Sequence, residues 1–270
     1  MTDRLGARFR ALAVARRCGL AAFVTAGEPE PANAVTTWLH LARAGADILE
    51  VGVPADAWLD GPAIQAAHRR ARARGVDAAA TLADVAAFRR RDIATPVILM
   101  GYGETLRSYG LERFAADAAY AGADGMLFIS STPEELRALD AAAAGHGLAL
   151  IRVAFGEVEE KWREAVAGAR GFIYVPAAKG GTGSAVPTPE IVAPRIAQIR
   201  ALTQLPIVAG FGVRTPEMFA ALAPYADALA VGSVFAHTIE DGLDAQGRAN
   251  PSLADDLCNI ARRLAASGRR

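Results

Sequence analysis

The sequence predicts an α/β fold, a single (β/α)8 TIM barrel preceded by an extra N-terminal helix, and three observations carry that reading. Short apolar runs alternate with Ala/Arg/Glu-rich helical stretches from Leu20 to the C-terminus, the pattern of a parallel sheet wrapped by helices. Eight such runs recur at spacings of roughly 20–50 residues, with no Pro/Gly/Ser linker between them. The length of 270 residues suits one barrel of about 250 residues, so residues 1–270 read as one domain. The competing open sheet would more often carry Gly-x-Gly-x-x-Gly after its first strand, and Thr25-Ala26-Gly27-Glu28-Pro29 is not that motif.

Taken in order, the first element is the Arg-rich, amphipathic stretch from Met1 to Arg17, which faintly mimics a transit peptide. Leu5, Phe9, Leu12 and Ala13 fall on one helical face, and the stretch reads as a first surface helix. The expected strands are residues 21–25, 47–53, 96–100, 125–129, 149–153, 171–175, 206–210 and 226–231. Three helix starts carry the same tripeptide, Thr132-Pro133-Glu134, Thr188-Pro189-Glu190 and Thr215-Pro216-Glu217. It supplies an N-cap hydroxyl, a proline at the first helical position and a carboxylate at the positive helix end. Ala44-Gly45-Ala46-Asp47 and Ala121-Gly122-Ala123-Asp124 each place a glycine past a helix end ahead of a strand, with Tyr225-Ala226-Asp227 as a weaker echo.

Composition excludes several classes of function. Lysine plus arginine and aspartate plus glutamate each total 29, with no polybasic block, so neither nucleic acid nor an anionic membrane surface is an expected partner. Small molecules are. No uninterrupted apolar run approaches the ~18 residues of a membrane span. Cys18 and Cys258 lie far apart without ligand spacing, and His40, His68, His146 and His237 show none either, which points to a reducing cytoplasm and no metal site.

Barrels place their chemistry at the C-terminal ends of the strands. There, Glu50 interrupts the apolar run Ile48-Leu49-Glu50-Val51-Gly52-Val53. A carboxylate in such a run is a salt-bridged structural residue or, the reading preferred here, an acid/base held in a perturbed state. Asp60-Gly61-Pro62 lies in the next loop, where Asp60 is either an N-cap or a functional carboxylate. Gly180-Gly181-Thr182-Gly183, Gly210-Phe211-Gly212 and Gly232-Ser233 follow the sixth, seventh and eighth strands. Each could be turn chemistry, but together they suit a phosphate cradle of backbone N–H groups. Tyr174 reads either as core or as the wall of an apolar pocket near Glu50. Lys179, one of two lysines with Lys161, sits in a glycine-rich loop and reads as solvated rather than as a Schiff-base former.

Five segments, in order along nearly the whole chain, resemble the tryptophan synthase α subunit family: Phe23-Val24-Thr25-Ala26-Gly27-Glu28-Pro29, Ala44 to Pro54, Asp60-Gly61-Pro62-Ala63-Ile64-Gln65, Gly210-Phe211-Gly212-Val213 and Val231-Gly232-Ser233. The resemblance implies retro-aldol cleavage of indole-3-glycerol phosphate to indole and glyceraldehyde 3-phosphate, without metal or organic cofactor. It implies that Glu50 is the acid/base and that Asp60 holds the indole N–H. It places Phe23, Tyr102, Tyr174 and Thr182 against the substrate, and Gly183, Phe211, Gly212, Gly232 and Ser233 around its phosphate.

The chain departs from the family pattern where the barrel would dock a β subunit. Ala55-Asp56-Ala57-Trp58-Leu59 replaces Phe-Ser-Asp-Pro-x-Ala and is one residue shorter. Ser184-Ala185-Val186-Pro187 lacks the usual basic stretch, Tyr102-Gly103-Glu104 replaces Tyr-Asn-Pro, and Ser130-Ser131-Thr132 replaces Asp-Leu-Pro. A β-type subunit is therefore a doubtful partner, and a free-standing lyase is expected. Two other readings are a Schiff-base aldolase using Lys179 and a catalytically silent homologue that binds a phosphorylated ligand.

Overall fold

The computed structural model describes residues 3–129, 132–156, 158–176, 188–210 and 212–269. Its strands form one parallel sheet: β1 (Gly19–Thr25), β2 (Ile48–Gly52), β3 (Val97–Tyr102), β4 (Gly125–Ile129), β5 (Ala149–Leu150), β6 (Arg152–Val153), β7 (Ile173–Pro176), β8 (Ile207–Gly210) and β9 (Ala228–Val231). The order is β5-β4-β3-β2-β1-β9-β8-β7-β6. The two ends of that order, β5 and β6, are halves of one segment, separated by Ile151. The first half pairs with β4 and the second with β7, so the barrel closes through residues 149–153. The fifth strand expected as one run is thus a handover between neighbours, while Ile151 itself stays in the ladder by donating to Met126 O at 2.9 Å.

Alternation along the strands sorts side chains into two cores. Leu20, Ala22, Val24, Leu49, Val51 and Leu99 face outward into the helix layer. Ala21, Ile48, Ile98, Leu127, Ile151, Phe172, Val208 and Ala228 face inward. Helix α1 (Arg4–Val14) completes this inner core rather than lying on the flank of the molecule. Its Leu5, Phe9 and Leu12 close the N-terminal end of the barrel, and Phe9 meets Phe172 edge-on at 5.9 Å. Ala13, expected on the same face, is exposed. One residue beyond Leu12, it has rotated about 100° off the buried stripe.

Three aspartates hold the foot of the barrel. Asp47 accepts Leu20 N at 2.9 Å and both Arg17 Nη atoms at 2.5 and 2.8 Å. Asp124 accepts Val97 N at 2.9 Å, Arg4 Nε at 2.7 Å and Arg89 Nη2 at 3.1 Å. Asp227 accepts Ile207 N at 2.8 Å and Arg200 Nη2 at 2.5 Å. Each carboxylate accepts an N–H at the start of a strand and pairs with arginine, so the Ala-Asp echo is a strand clamp as well as a helix exit. Gly45 and Gly122 before it take positive φ, +112° and +90°, as helix exits in that region favour.

The three Thr-Pro-Glu starts divide. Thr132 and Thr215 accept Glu135 N and Met218 N at 3.1 and 3.3 Å. Thr188 occupies the N-cap of the helix Pro189–Leu202 without a side-chain cap bond, because its hydroxyl serves the carboxylate of Glu190. No described helix is long and apolar enough to cross a membrane.

Removing one member of a buried, hydrogen-bonded ion network leaves its partners uncompensated. Asp124→Ala is expected to cost about 3–5 kcal/mol in urea unfolding. Glu134→Ala, which removes the exposed partner of Arg137, is expected to leave the midpoint at that of the parent. Equal midpoints for the two variants would show that the clamp carries no stability.

Candidate active site

The expected site residues converge on one cavity at the C-terminal end of the barrel, about 370 Å³ in volume. Phe23, Glu50, Asp60, Tyr102, Tyr174, Gly212, Gly232 and Ser233 all line it. Thr182, Gly183, Phe211 and Lys179 lie outside the described residues. Met100, Leu127, Ile129 and Val153 add an apolar wall, and Gly52, His68 and Arg195 also line it. Arg195 bonds Pro176 O and Ala154 O at 3.0 and 2.7 Å and thereby ties the ends of β7 and of residues 149–153 together. Sequence reading missed His68 and Arg195, since both sit on helices at positions that look like ordinary helical surface and their partners lie on other elements.

Glu50 sits mid-strand in β2, in register with Phe23 on β1 and Ile98 on β3. It is 1 % exposed, makes no ion pair among the described residues, and leaves Oε1 without a hydrogen-bond partner. The structural alternative, a salt-bridged glutamate, is therefore absent from the described residues. Burial in apolar surroundings pushes its carboxyl up to about 8. Free Glu50 is thus an acid at neutral pH.

Asp60 is not an N-cap. That position in the helix α2 formed by Pro62–Ala73 belongs to Gly61, and the Asp60 carboxylate instead accepts the Tyr102 hydroxyl at 2.7 Å. Burial pushes the Asp60 carboxyl up and the Tyr102 bond partly offsets that rise. Tyr102 in turn lies under Trp58, ring centroids 6.0 Å apart. The loop that carries Asp60 is held along its length by this chain's own groups. Ala55 N donates to His68 Nδ1 at 3.1 Å, Asp56 N to Glu104 Oε1 at 3.2 Å, and Gln65 Nε2 to Asp60 O at 2.7 Å. Two of the segments that depart from the family pattern, 55–59 and 103–104, therefore hold one another.

Tyr174 stands on β7 with its hydroxyl pushed well above the phenol range by burial, with the charges of Glu50 and Asp60 adding to the rise. Its ring is accommodated by a glycine. A Cβ at Gly210 would fall 2.0 Å from the Tyr174 hydroxyl oxygen. Gly212 has φ +66° and open space where its Cβ would be, and a Cβ at Gly232 would press on Phe23 at 3.1 Å. On this side Gly232 caps the helix that starts at Ser233, and a helix N-terminus of this kind suits an anion.

A closed parallel barrel with two carboxylates of raised pKa lining one apolar cavity at its C-terminal mouth defines an acid–base enzyme of the TIM-barrel class. Residues 9–265 match the family described as tryptophan synthase alpha chain. The chain belongs to that family. It is 41% identical over 269 residues to a tryptophan synthase alpha chain of Gluconacetobacter diazotrophicus, covering 99% of this chain and 97% of the relative. Among solved structures it is similar to tryptophan synthase subunit alpha from Legionella pneumophila, at 29% identity and a TM-score of 0.87 over 99% of this chain and 98% of that one. A tryptophan synthase structure from Mycobacterium tuberculosis matches at 31% identity and 0.86, over 99% and 98%.

A carboxyl that is neutral when folded and ionised when unfolded destabilises the fold as pH rises from the unfolded value to the folded one. Glu50→Gln is therefore expected to leave the Tm unchanged near pH 4.5 and to raise it increasingly up to pH 8, where the penalty it removes amounts to several kcal/mol. Calorimetry across that range checks it, and a pH-independent difference would show that Glu50 titrates normally.

Proposed function

We propose that the chain cleaves indole-3-glycerol phosphate to indole and glyceraldehyde 3-phosphate by a retro-aldol reaction. The observation that carries the proposal is Glu50, a carboxyl kept protonated by burial at the base of an apolar cavity whose wall also carries Asp60. In the proposed course the indole ring packs between Phe23, Leu127 and Ile129, and its N–H donates to Asp60, which the Tyr102 hydroxyl holds in place. Glu50 gives its proton to ring carbon C3, and Asp60 offsets the positive charge that develops on the ring nitrogen. The Glu50 carboxylate then takes the proton of the hydroxyl on the adjacent side-chain carbon. The bond between that carbon and C3 breaks, its electron pair returns to the ring, and the carbon becomes the aldehyde of glyceraldehyde 3-phosphate. Glu50 ends protonated, as it began. Phosphate is assigned to the backbone of Gly183, Phe211, Gly212, Gly232 and Ser233, with Tyr174 beside Glu50 and Thr182 closing over Asp60.

We further read residues 1–270 as one cytoplasmic barrel that works without a β subunit. Support comes from the Asp60 loop, where Ala55, Asp56 and Asp60 are bonded to His68, Glu104, Gln65 and Tyr102 of the same chain. A loop that the chain's own groups hold leaves less differential contact for a partner to supply.

Purified protein with indole-3-glycerol phosphate is expected to release indole, followed by chromatography, with kcat/KM falling as pH rises through about 8, where free Glu50 loses its proton. Glu50→Gln is expected to lower kcat by about 10²–10⁴-fold. Retention of a tenth of the parent rate would remove Glu50 from proton transfer. Titrated β subunit is expected neither to co-elute with the chain nor to raise kcat. Stimulation of about tenfold, roughly 1.4 kcal/mol of barrier, would overturn the free-standing reading.

A further inference from the structure

His68 is an unassigned group in this cavity. It stands on α2, is 2 % exposed, and lines the pocket. Burial, with the charge of Arg72 adding, pushes its imidazole down to about 4, so the ring is neutral at pH 7. A neutral imidazole has one donor and one acceptor nitrogen, and Nδ1 is the acceptor because it receives Ala55 N at 3.1 Å. The proton therefore sits on Nε2. That atom is buried and has no hydrogen-bond partner among the described residues. An orphaned buried donor costs free energy that a suitable acceptor would recover.

Its position says which acceptor. Gly52 is two residues beyond Glu50 on β2 and shares its inward face, one pleat nearer the mouth. A Cβ at Gly52 would lie 3.2 Å from His68 Nε2 and 2.7 Å from Phe23 Cζ, so the absent side chain leaves room that the imidazole and the Phe23 ring edge share. The other edge of Phe23 abuts Gly232, where a Cβ would lie 3.1 Å from Cδ1. From Glu50 to the anion-binding end of the cavity the wall thus runs past His68 and Phe23. A substrate with its ring at Glu50 and its phosphate at Gly232 lays its three-carbon chain along this wall. The ring has an N–H donor but no acceptor, whereas the hydroxyl oxygens of the chain can accept.

We propose that the Nε2–H of His68 donates to a hydroxyl oxygen of the substrate's glycerol chain, reached as the Phe23 ring shifts off Gly52, making His68 a specificity residue for hydroxylated indole phosphates. The proposal rests on the substrate assigned above and goes beyond it. His68 fixes the Asp60 loop through one nitrogen and reads the substrate through the other.

The test compares two ligands in a Glu50→Gln background, where no cleavage intervenes: indole-3-glycerol phosphate and indole-3-propanol phosphate, which keeps ring and phosphate but lacks both hydroxyls. Calorimetry gives the ratio of their affinities, a quantity that a general loosening of the loop does not change. Adding His68→Leu is expected to reduce the preference for the hydroxylated ligand about tenfold, and His68→Gln, which can both accept and donate, to restore most of it. An unchanged ratio in His68→Leu overturns the proposal. Should His68→Leu fail to fold, NMR of histidine-labelled Glu50→Gln protein decides. The Nε2–H signal of His68 is expected to move downfield with the hydroxylated ligand and not with the propanol ligand, and the same response to both overturns the proposal. Failure of the parent protein to bind or cleave indole-3-glycerol phosphate would instead overturn the substrate reading, and the proposal with it.

Discussion

The constraint on which the site depends is the cost of keeping a carboxyl group inside an apolar barrel. Water would hold Glu50 ionised at neutral pH, and a neighbouring arginine would do so more firmly. Either would remove the proton that the chemistry requires. The barrel interior instead sets Glu50 between Phe23 and Ile98 and, among the described residues, leaves one of its oxygens without a partner. What would be a defect in a structural position is the source of the acid here.

That arrangement divides the molecule along the barrel axis. At the foot, Asp47, Asp124 and Asp227 bond arginine and strand N–H groups, and α1 seals the end with Leu5, Phe9 and Leu12. At the mouth, Glu50 and Asp60 make no ion pair among the described residues, and the loop that carries Asp60 is tied by hydrogen bonds. A carboxyl group thus clamps a strand where arginine neutralises it, and is kept protonated at Glu50, which has no ion pair among the described residues.

Much of this was legible in the sequence because it is local. Strand periodicity, glycine helix exits and an acidic residue inside an apolar run are properties of neighbours in the chain, and they led to the barrel, to the helix exits at Gly45 and Gly122, and to Glu50. Contacts between distant segments were not legible. Ala13 lies at the margin of the apolar stripe, 100° round from Leu12, and the barrel rim decides that burial stops short of it. The break at Ile151 arises from closure, which matches the two ends of a sheet across the whole circumference. Asp60 illustrates the limit most clearly. Its neighbours Gly61 and Pro62 suit a helix cap, and only Tyr102, 42 residues away, shows its carboxylate turned toward the cavity. His68 looked like one of four unremarkable histidines because its partner, Ala55, lies across a loop.

The close approach of Tyr174 to Gly210 has a genetic corollary. No side chain can appear at position 210 while the tyrosine hydroxyl occupies the volume its Cβ would need. Loss of the phenol at 174 would permit alanine at 210, and that alanine would then bar the phenol's return. The pair is epistatic, and the order of substitution determines which lineages could regain the ring beside Glu50.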